Sequence, residues 1–410
     1  MPPDPAAHRV IHLDDYIPVV GEPEIAEIRA LASRLQDQSV QMVNSTAVGG
    51  GVAEILNCMI PMFQDLRIPV RWDVMTGGND FFEVTKAFHN ALHGGTYDDR
   101  AENFEIFLAY NEQNRQRVAL DSSLIVIHDP QPLALVAGRH NHAAHWLWRC
   151  HIDLSRPNPL VWDFLEPFVI RYDGAIFSSP SFTHQLPIPQ YLSYPCIDPL
   201  SAKNHDLEPA QVRAVVERFG IDSGRPILTQ ISRFDRLKDP LGVVKAYRLV
   251  RSYFDCQLVL AGGGAADDPE GGAVLAEVRE AAGSDPDIHI LDLPPWSALE
   301  INALQRASTV IIQKSLREGF GLTVTEALWK KKPVVASAVG GIPVQVIHKH
   351  TGLLVHSIEG AAYQIRFLLS NPALAAQLGE QGHEHVRENF LMTSNLKRYL
   401  ALFLHLLCRH

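Results

Sequence analysis

The sequence lacks any apolar run approaching the roughly 20 residues that a membrane-spanning helix needs. It also has few cysteines: five among 410 residues, widely spaced and never in a CxxC pair. This spacing argues against a disulfide framework and a zinc site, and it favours a reducing cytoplasm. Met1–His12 lacks the basic cluster and apolar core of a secretory signal. The sequence therefore predicts a cytoplasmic protein with no membrane partner.

Positive charge is also scarce, since the formal net charge is -10 and no basic stripe is present. Nucleic acids and anionic bilayers are bound through such stripes, so neither is expected as a partner. Small solutes are the expected ligands. Any phosphate site must then be built locally, from a few cations and backbone amides.

The sequence is long, and strand-like segments alternate with helical segments along it. Its 410 residues exceed what one hydrophobic core usually serves, which favours two domains. From Ser39 onward, short β-branched runs alternate with helical patterns, as in βαβ units, and a second such series starts at Ile227. The proline-rich segment 186–200 interrupts the pattern. We therefore predict two α/β domains, residues 1–190 and 191–390, with a C-terminal helix over about 391–410 that packs back on the first.

Open parallel sheets bind ligands beyond the carboxyl ends of their strands, so functional residues are expected there. The first candidate is the segment NSTAVGGGVAE, which runs from Asn44 to Glu54 between a strand and a helix. Consecutive glycines before a helix allow backbone N–H groups to approach an anion closely. A plain tight turn explains the glycines as well, since the segment matches neither GxGxxG nor the P-loop.

The second candidate is SRFDRLKDP, directly after the first strand of the second domain. Arg233 and Lys238 lie where a strand ends and a helix begins, a position suited to binding a leaving diphosphate. Solvated loop cations are the alternative. Arg236, in the same segment, serves as the comparison residue for that alternative.

The third candidate is EGFGLTVTE, with carboxylates at Glu318 and Glu326. A glycosidase would need the two about 5 Å apart, whereas eight helical residues would separate them by about 12 Å. The glycines favour a loop at Glu318. We expect Glu318 to approach a sugar and Glu326 to accept hydrogen bonds from a ribose diol. The backbone amides between them are expected to face phosphates; these are the amides of Gly319, Phe320, Gly321 and Leu322.

These three elements resemble those of retaining GT-B glycosyltransferases of family four. Longer strings are similar, more narrowly, to the trehalose glycosyltransferring synthases: VNSTAVGGGVAEIL, FFEVTKAFHNALHG, HDPQPLAL, WRCHIDLS and IDPLSAKN. The resemblance spans residues 40 to 390. It implies an α/β GT-B fold, in which two Rossmann-like doubly wound parallel-sheet domains face each other across a cleft. It also implies reversible, retaining glucosyl transfer from a nucleoside diphosphate glucose to the anomeric hydroxyl of glucose, which forms α,α-trehalose.

The resemblance also implies roles for individual residues. Donor-binding roles fall on Gly50 and Gly51 at the diphosphate, Arg233 and Lys238 as its cations, Glu318 at the donor glucose, and Glu326 at the ribose. His151 matches the histidine that faces the transferred sugar, so the expected catalytic set is His151, Glu318, Arg233 and Lys238. A packing role is the alternative for His151.

Acceptor contacts are expected from polar residues at strand and helix ends. Asp129 and Gln131 follow a strand, and their side chains suit a polyol. Glu54, one turn into a helix, is the third candidate. Asp129 could equally be a turn residue before proline, and Glu54 a partner of the helix dipole.

No cofactor or metal is expected beyond the nucleotide-sugar cosubstrate, which is ADP-, UDP- or GDP-glucose. His140, His142 and His145 form a local cluster, but no carboxylate or cysteine completes a metal site. Asp267 and Asp268 follow a glycine run that is better explained as a turn. The base preference stays open, although Pro294 and its neighbours mark a base loop. A homodimer is compatible with the sequence.

No residue is placed to attack from the far side of the sugar, so we expect same-face transfer in which the departing diphosphate takes the acceptor's proton. Three alternatives remain at this point. They are a trehalose phosphorylase, a family four transferase with another sugar acceptor, and a non-enzymatic sugar-binding protein.

Overall fold

The computed structural model describes residues 11–47, 51–98, 100–140, 143–263 and 271–408. The chain forms two compact units. The first contains residues 11–196 and 392–408, and the second contains Ile197–Leu391. The change of unit after Cys196 falls inside the proline-rich segment 186–200.

One six-stranded parallel sheet forms the first unit: β1 (Val40–Asn44), β2 (Val70–Val74), β3 (Leu124–His128), β4 (His145–Arg149), β5 (Gly174–Phe177) and β6 (Gln190–Leu192). The order is β2-β1-β3-β4-β5-β6, so the direction of winding reverses between β1 and β3. β6 lies within the segment that the prolines mark as a linker. A short edge strand tolerates flanking prolines, because one side of it needs no ladder bonds.

The helices of the first unit connect these strands: α1 (Ile17–Val20), α2 (Glu22–Ala32), α3 (Gly51–Asp65), α4 (Asn79–Leu92), α5 (Ala101–Arg117) and α6 (Pro159–Val169), with 3-10 turns at Leu13–Tyr16, Leu133–Gly138 and Pro180–Phe182. Trp146 and Trp148 of β4 are buried in the core beneath them. Both faces of the sheet are covered, so the central strands β1, β3 and β4 are buried at every residue rather than at alternate ones.

A second six-stranded parallel sheet forms the other unit: β7 (Ile227–Ile231), β8 (Gln257–Gly262), β9 (Ile288–Asp292), β10 (Val310–Gln313), β11 (Val334–Ser337) and β12 (Leu353–Val355). Its order is β12-β11-β10-β7-β8-β9. The winding reverses between β7 and β10, and ligands of doubly wound sheets bind at such a switch point.

The helices of the second unit are α7 (Pro209–Arg218), α8 (Pro240–Arg251), α9 (Gly271–Ala282), α10 (Ala298–Ala307), α11 (Leu322–Trp329), α12 (Ile342–Gln345), α13 (Ile358–Ser370) and α14 (Pro372–Asn389), with a 3-10 turn at Arg236–Lys238. The last helix, α15 (Met392–Leu407), belongs to the first unit. It buries Tyr399 and Phe403, and its Lys397 Nζ lies 2.6 Å from Glu24 Oε2 on α2.

The two doubly wound sheets confirm the predicted α/β fold class. Across the described ranges, every helix is too short or too polar to cross a bilayer.

Candidate active site

The loop after β7 carries the predicted cations on ordered backbone. Asp235 Oδ1 accepts a hydrogen bond from the Leu237 N–H at 2.7 Å, and Gln230 Nε2 donates to the Lys238 carbonyl at 2.8 Å. These bonds fix the 3-10 turn Arg236–Lys238. Lys238 is therefore held at the switch point of the second sheet.

The three basic side chains of this loop have different surroundings. Lys238 is mostly buried, with 19% of its side chain exposed, whereas Arg233 is 41% exposed and lies 3.6 Å from Asp235 Oδ2. Arg236 is 57% exposed and donates two hydrogen bonds, of 3.0 and 2.5 Å, to Glu277 on α9. Arg236 thus forms a surface ion pair, which fits its use as the comparison residue for solvated loop cations.

The structure brings Lys238 and Glu318 into direct contact. Lys238 Nζ lies 2.6 Å from Glu318 Oε1, although 80 residues separate the two. Glu318 is buried, and its Oε2 accepts a hydrogen bond from Ser315 Oγ at 3.0 Å. Both carboxylate oxygens are therefore fixed, one by a cation and one by a hydroxyl.

Polar residues after β10 extend this network. Gln313 Nε2 donates to Ser315 Oγ at 3.0 Å. Lys314 Nζ pairs with the Asp239 carboxylate, whose other oxygen accepts the Gly242 N–H at 2.9 Å and so caps α8. Sequence reasoning missed Lys314, whose only signal was a lysine placed directly after a strand.

Glycines set the backbone around Glu318. Gly321 has a φ of +84°, and α11 begins at the next residue, so Glu318 lies in a loop while Glu326 lies on the helix, as predicted. Gly340, with a φ of +54°, lies so close that an added Cβ would come 1.6 Å from the Glu318 carbonyl oxygen. Gln345 Nε2 on α12 also donates to the Phe320 carbonyl. Neither Gly340 nor Gln345 was identified from the sequence.

Glu326 is also buried, in a network that sequence reasoning did not anticipate. Its Oε2 accepts a hydrogen bond from Gln305 Nε2 at 3.3 Å, and its Oε1 lies 3.6 Å from Lys203 Nζ. Lys330 Nζ donates to its main-chain carbonyl at 3.2 Å. The signal for Lys203 was its presence in IDPLSAKN, a string without an assigned role.

In the first unit, Asn44 holds the loop after β1 in place through two hydrogen bonds. Its Nδ2 donates to the Thr46 carbonyl at 2.6 Å, and its Oδ1 accepts the Trp72 indole N–H at 2.9 Å. Gly51 starts α3, and Glu54 is exposed in its first turn. Gly50 lies outside the described residues.

The carboxyl ends of β3 and β4 bring two histidines together. His128 Nδ1 and His151 Nε2 are 3.1 Å apart, and the rings are stacked with an interplanar angle of 12°. His128 is buried and His151 is partly exposed. The predicted His151 is therefore oriented by a second histidine, which sequence reasoning had noted only as part of HDPQP.

Asp129 lies beside this pair. Its Oδ1 accepts the His151 N–H at 2.7 Å, and its backbone has a φ of +65°. Burial raises the pKa of Asp129 to about 6, although the His151 N–H and the nearby Arg149 act in the opposite direction. Its turn geometry supports the turn-forming alternative, and its carboxylate also contacts the candidate catalytic histidine.

A buried cation, Arg149, adds to the effect of burial on the pKa values of the two histidines. Arg149 is 1% exposed, and its Nη2 donates to Ser178 Oγ at 3.0 Å and to the Ser193 carbonyl at 2.7 Å. Burial, and then repulsion by Arg149, lowers the pKa of His128 to about 3 and places that of His151 well below its ordinary value. Both rings are consequently neutral near pH 7 and serve as hydrogen-bonding groups.

Gln131 supplies a polar atom without a protein partner. Its Oε1 is buried and makes no hydrogen bond within the part of the chain that the structure describes. Its main-chain carbonyl accepts Asn111 Nδ2 at 3.0 Å. A buried acceptor without a donor is costly unless a ligand or water completes it, which suits a sugar hydroxyl.

The described histidines of the cluster considered for a metal differ in exposure. His140 is exposed and His145 is buried in β4, while His142 lies outside the described residues. Among the residues that can be described, no group of three His, Cys, Asp or Glu side chains is arranged to hold an ion.

Comparison with known proteins decides the family. Residues 42–184 match the family model described as trehalose synthase, N-terminal domain, and residues 212–385 match glycosyl transferases group 1. A trehalose synthase of Pyrococcus horikoshii is 42% identical over 95% of this chain and 95% of its own. The chain belongs to the trehalose synthase family. It is a glycosyltransferase.

A solved structure of lower sequence identity agrees in fold with this trehalose synthase family member. A sucrose-phosphate synthase from Thermosynechococcus elongatus superimposes with a TM-score of 0.71 at 20% identity, and the match covers 91% of this chain and 100% of the other. A trehalose phosphorylase of Pleurotus pulmonarius is 26% identical over 96% of this chain but only 61% of its own. The fold is therefore GT-B, as predicted.

Proposed function

We propose that this glycosyltransferase moves glucose from a nucleoside diphosphate glucose to the anomeric hydroxyl of free glucose, reversibly and with retention. The products are α,α-trehalose and the nucleoside diphosphate. The observation that carries the proposal is the Lys238–Glu318 pair at the switch point of the second sheet, 2.6 Å apart and mostly buried. It combines a cation suited to a diphosphate with a carboxylate suited to sugar hydroxyls.

The second unit supplies the donor contacts. We assign Arg233 and Lys238 to the diphosphate, Glu318 to the donor glucose and Glu326 to the ribose. Backbone amides of the 319–322 loop and the first turn of α11 assist at the phosphates. Gly50, Gly51 and His151 keep the roles that the sequence resemblance implies.

The first unit supplies the acceptor contacts. Asp129 and Gln131 offer acceptors to sugar hydroxyls, and Glu54 offers an exposed carboxylate. His151 is a neutral group, which suits hydrogen bonding to an uncharged sugar.

In the proposed reaction the acceptor hydroxyl oxygen bonds to C1 of the donor glucose as the bond from C1 to the diphosphate oxygen breaks. The departing diphosphate takes the hydroxyl proton on the same side of the sugar. Arg233 and Lys238 stabilise the charge that develops on the leaving oxygen. No protein atom bonds to the sugar, so retention does not require a glycosyl-enzyme intermediate.

The test mixes purified protein with ADP-, UDP- or GDP-glucose and free glucose, without phosphate, and follows nucleotide release and the sugars formed. A non-reducing α,α-disaccharide supports the proposal and ranks the donors. An inverted product contradicts it. Trehalose cleavage that needs phosphate and no nucleotide would instead indicate a phosphorylase.

We also propose a cytoplasmic location, because the five cysteines, all within the described residues, form no disulfide bond and four of them are buried. A homodimer remains a prediction that light scattering on the purified protein would check.

A further inference from the structure

The segment 198–206, which joins the unit boundary to α7, is anchored by side chains of α10. Asn302 Nδ2 donates to the carbonyls of Ala202 and His205, at 3.1 and 2.9 Å. Arg306 Nη2 donates to the His205 carbonyl at 3.0 Å. Asn302 is fully buried. These bonds make 198–206 a rigid turn rather than a loose connection.

This turn places the Lys203 side chain beside Glu326. Lys203 Nζ lies 3.6 Å from Glu326 Oε1, and 21% of the lysine side chain is exposed against 3% of the glutamate. Oδ1 of the next residue, Asn204, accepts a hydrogen bond from Lys330 Nζ at 2.9 Å. Lys203 thus pairs with the buried Glu326 carboxylate, while Lys330 links Asn204 to the Glu326 main-chain carbonyl.

The two lysines are not equivalent. Burial lowers the pKa of Lys330 to about 7, although Glu326 opposes the shift. Burial thus disfavours the charged form of Lys330, and its Nζ contacts the Glu326 main-chain carbonyl, whereas Lys203 Nζ lies at the carboxylate itself. A buried carboxylate needs such a partner, since an uncompensated charge in the interior is costly.

We propose that Lys203 is a positioning residue of the donor site, which holds the Glu326 carboxylate in the orientation that the ribose diol of the nucleotide requires. The inference rests on the proposed function, because that proposal places the ribose at Glu326. The separation of 3.6 Å makes Lys203 an ionic partner rather than a short hydrogen-bond donor to this oxygen. Its predicted effect is therefore on binding of the ribose and not on bond breaking at C1.

The experiment compares binding of the preferred nucleoside diphosphate with its 2′-deoxy and 3′-deoxy forms by titration calorimetry, using the full-length chain. In Lys203→Met we expect the ribonucleotide to bind about 10-fold more weakly and the deoxy forms to change by less than about 3-fold, while kcat stays within about 3-fold. Lys203→Arg should restore most of the loss. Lys245→Met, at an exposed position on α8, should change nothing.

A double-mutant cycle with Glu326→Ala sharpens the test. If Lys203 acts through Glu326, removing it from the Glu326→Ala protein weakens binding no further. Equal losses for the ribo and deoxy forms, or a fall in kcat that matches the fall in affinity, would overturn the inference. An absence of disaccharide from the wild-type chain with any donor would overturn the proposed function instead, and the binding comparison would still decide the role of Lys203.

Discussion

The two units share an architecture and differ in how their strand ends treat charge. In the second unit three lysines have carboxylate partners: Lys238 with Glu318, Lys314 with Asp239, and Lys203 with Glu326. In the first unit the strand ends carry the neutral pair His128 and His151, kept uncharged by burial and by Arg149.

The contrast matches what each proposed ligand requires. A diphosphate needs cations, and pairing those cations with carboxylates limits the cost of burying them before the donor arrives. A sugar acceptor is uncharged, so neutral imidazoles and amides can bind its hydroxyls without a charge that must be desolvated. Two doubly wound parallel sheets can therefore be specialised by the ionisation of a few side chains.

Lys238→Met tests the charged half of this comparison and should have the largest effect. The variant removes the cation from the leaving diphosphate and leaves Glu318 buried without its ion pair. We expect kcat to fall by about 10²- to 10³-fold, as when a single transition-state donor is lost. Steady-state release of the nucleoside diphosphate measures it.

Arg236→Ala is the matched control for this prediction. Arg236 lies in the same loop but pairs with Glu277 on the surface, so turnover should stay within about 2-fold of the wild type, in keeping with the small contribution of exposed pairs. Equal losses in the two variants would mean that the whole loop, rather than Lys238, is needed. Wild-type turnover in Lys238→Met would refute the charged half of the comparison.

Gly340→Ala tests the charged site of the second unit by disturbing the backbone at Glu318 rather than by removing a charged side chain. An added Cβ would lie 1.6 Å from the Glu318 carbonyl oxygen, at a φ of +54°, so the Glu318 loop must shift. We expect the KM for the donor to rise about 10- to 100-fold and the KM for glucose to change little, because a displacement of about 1 Å is enough to cost that much. Initial rates at varied donor and acceptor concentrations separate the two.

Gly272→Ala controls for the loss of a glycine. Gly272 lies in the first turn of α9, and among the described residues, apart from its chain neighbours and its own helix backbone, no atom lies within 4 Å of an added Cβ. Helix propensity predicts a gain of up to about 1 kcal/mol in unfolding free energy and unchanged kinetics. If Gly340→Ala kept the wild-type donor KM, the close packing at Glu318 would not matter for donor binding.

The same residues show what a sequence can predict. Alternating β-branched runs identified the two sheets, and two glycines identified the loop at Glu318, because both signals are local. The Lys238–Glu318 contact joins residues 80 apart, and it follows only once β7 and β10 are known to be neighbours. Gly340 and Arg149 act on atoms from distant segments. Arg149 stands in the string WRCHIDLS, but no local pattern shows which distant atoms either residue contacts.

The first unit also contains a carboxylate, Asp129, whose proposed acceptor role is tested by the pH dependence of the reaction. Its pKa of about 6 in the folded protein means that the carboxylate becomes protonated, and loses acceptor capacity, as the pH falls below 6. We expect kcat/KM for glucose to fall about 10-fold per pH unit on that side, and Asp129→Asn to show a lower but flat profile there. A wild-type profile that stays flat down to pH 5 would remove Asp129 from the acceptor site.

His128→Asn gives the smallest predicted effect and tests the neutrality of the histidine pair directly. The pKa of His128 is about 3 when folded and near 6.5 when unfolded, so between these values the unfolded chain binds a proton that the folded chain does not. Folding stability is therefore lost as the pH falls from 7 to 5.5, by about 1 kcal/mol from this one residue. Urea unfolding at the two pH values should show a smaller loss in His128→Asn than in the wild type, while His140→Asn, at an exposed position, should match the wild type. An equal loss in all three proteins would mean that His128 takes its proton in the folded state, and the contrast between a charged and a neutral unit would fail at its buried histidine.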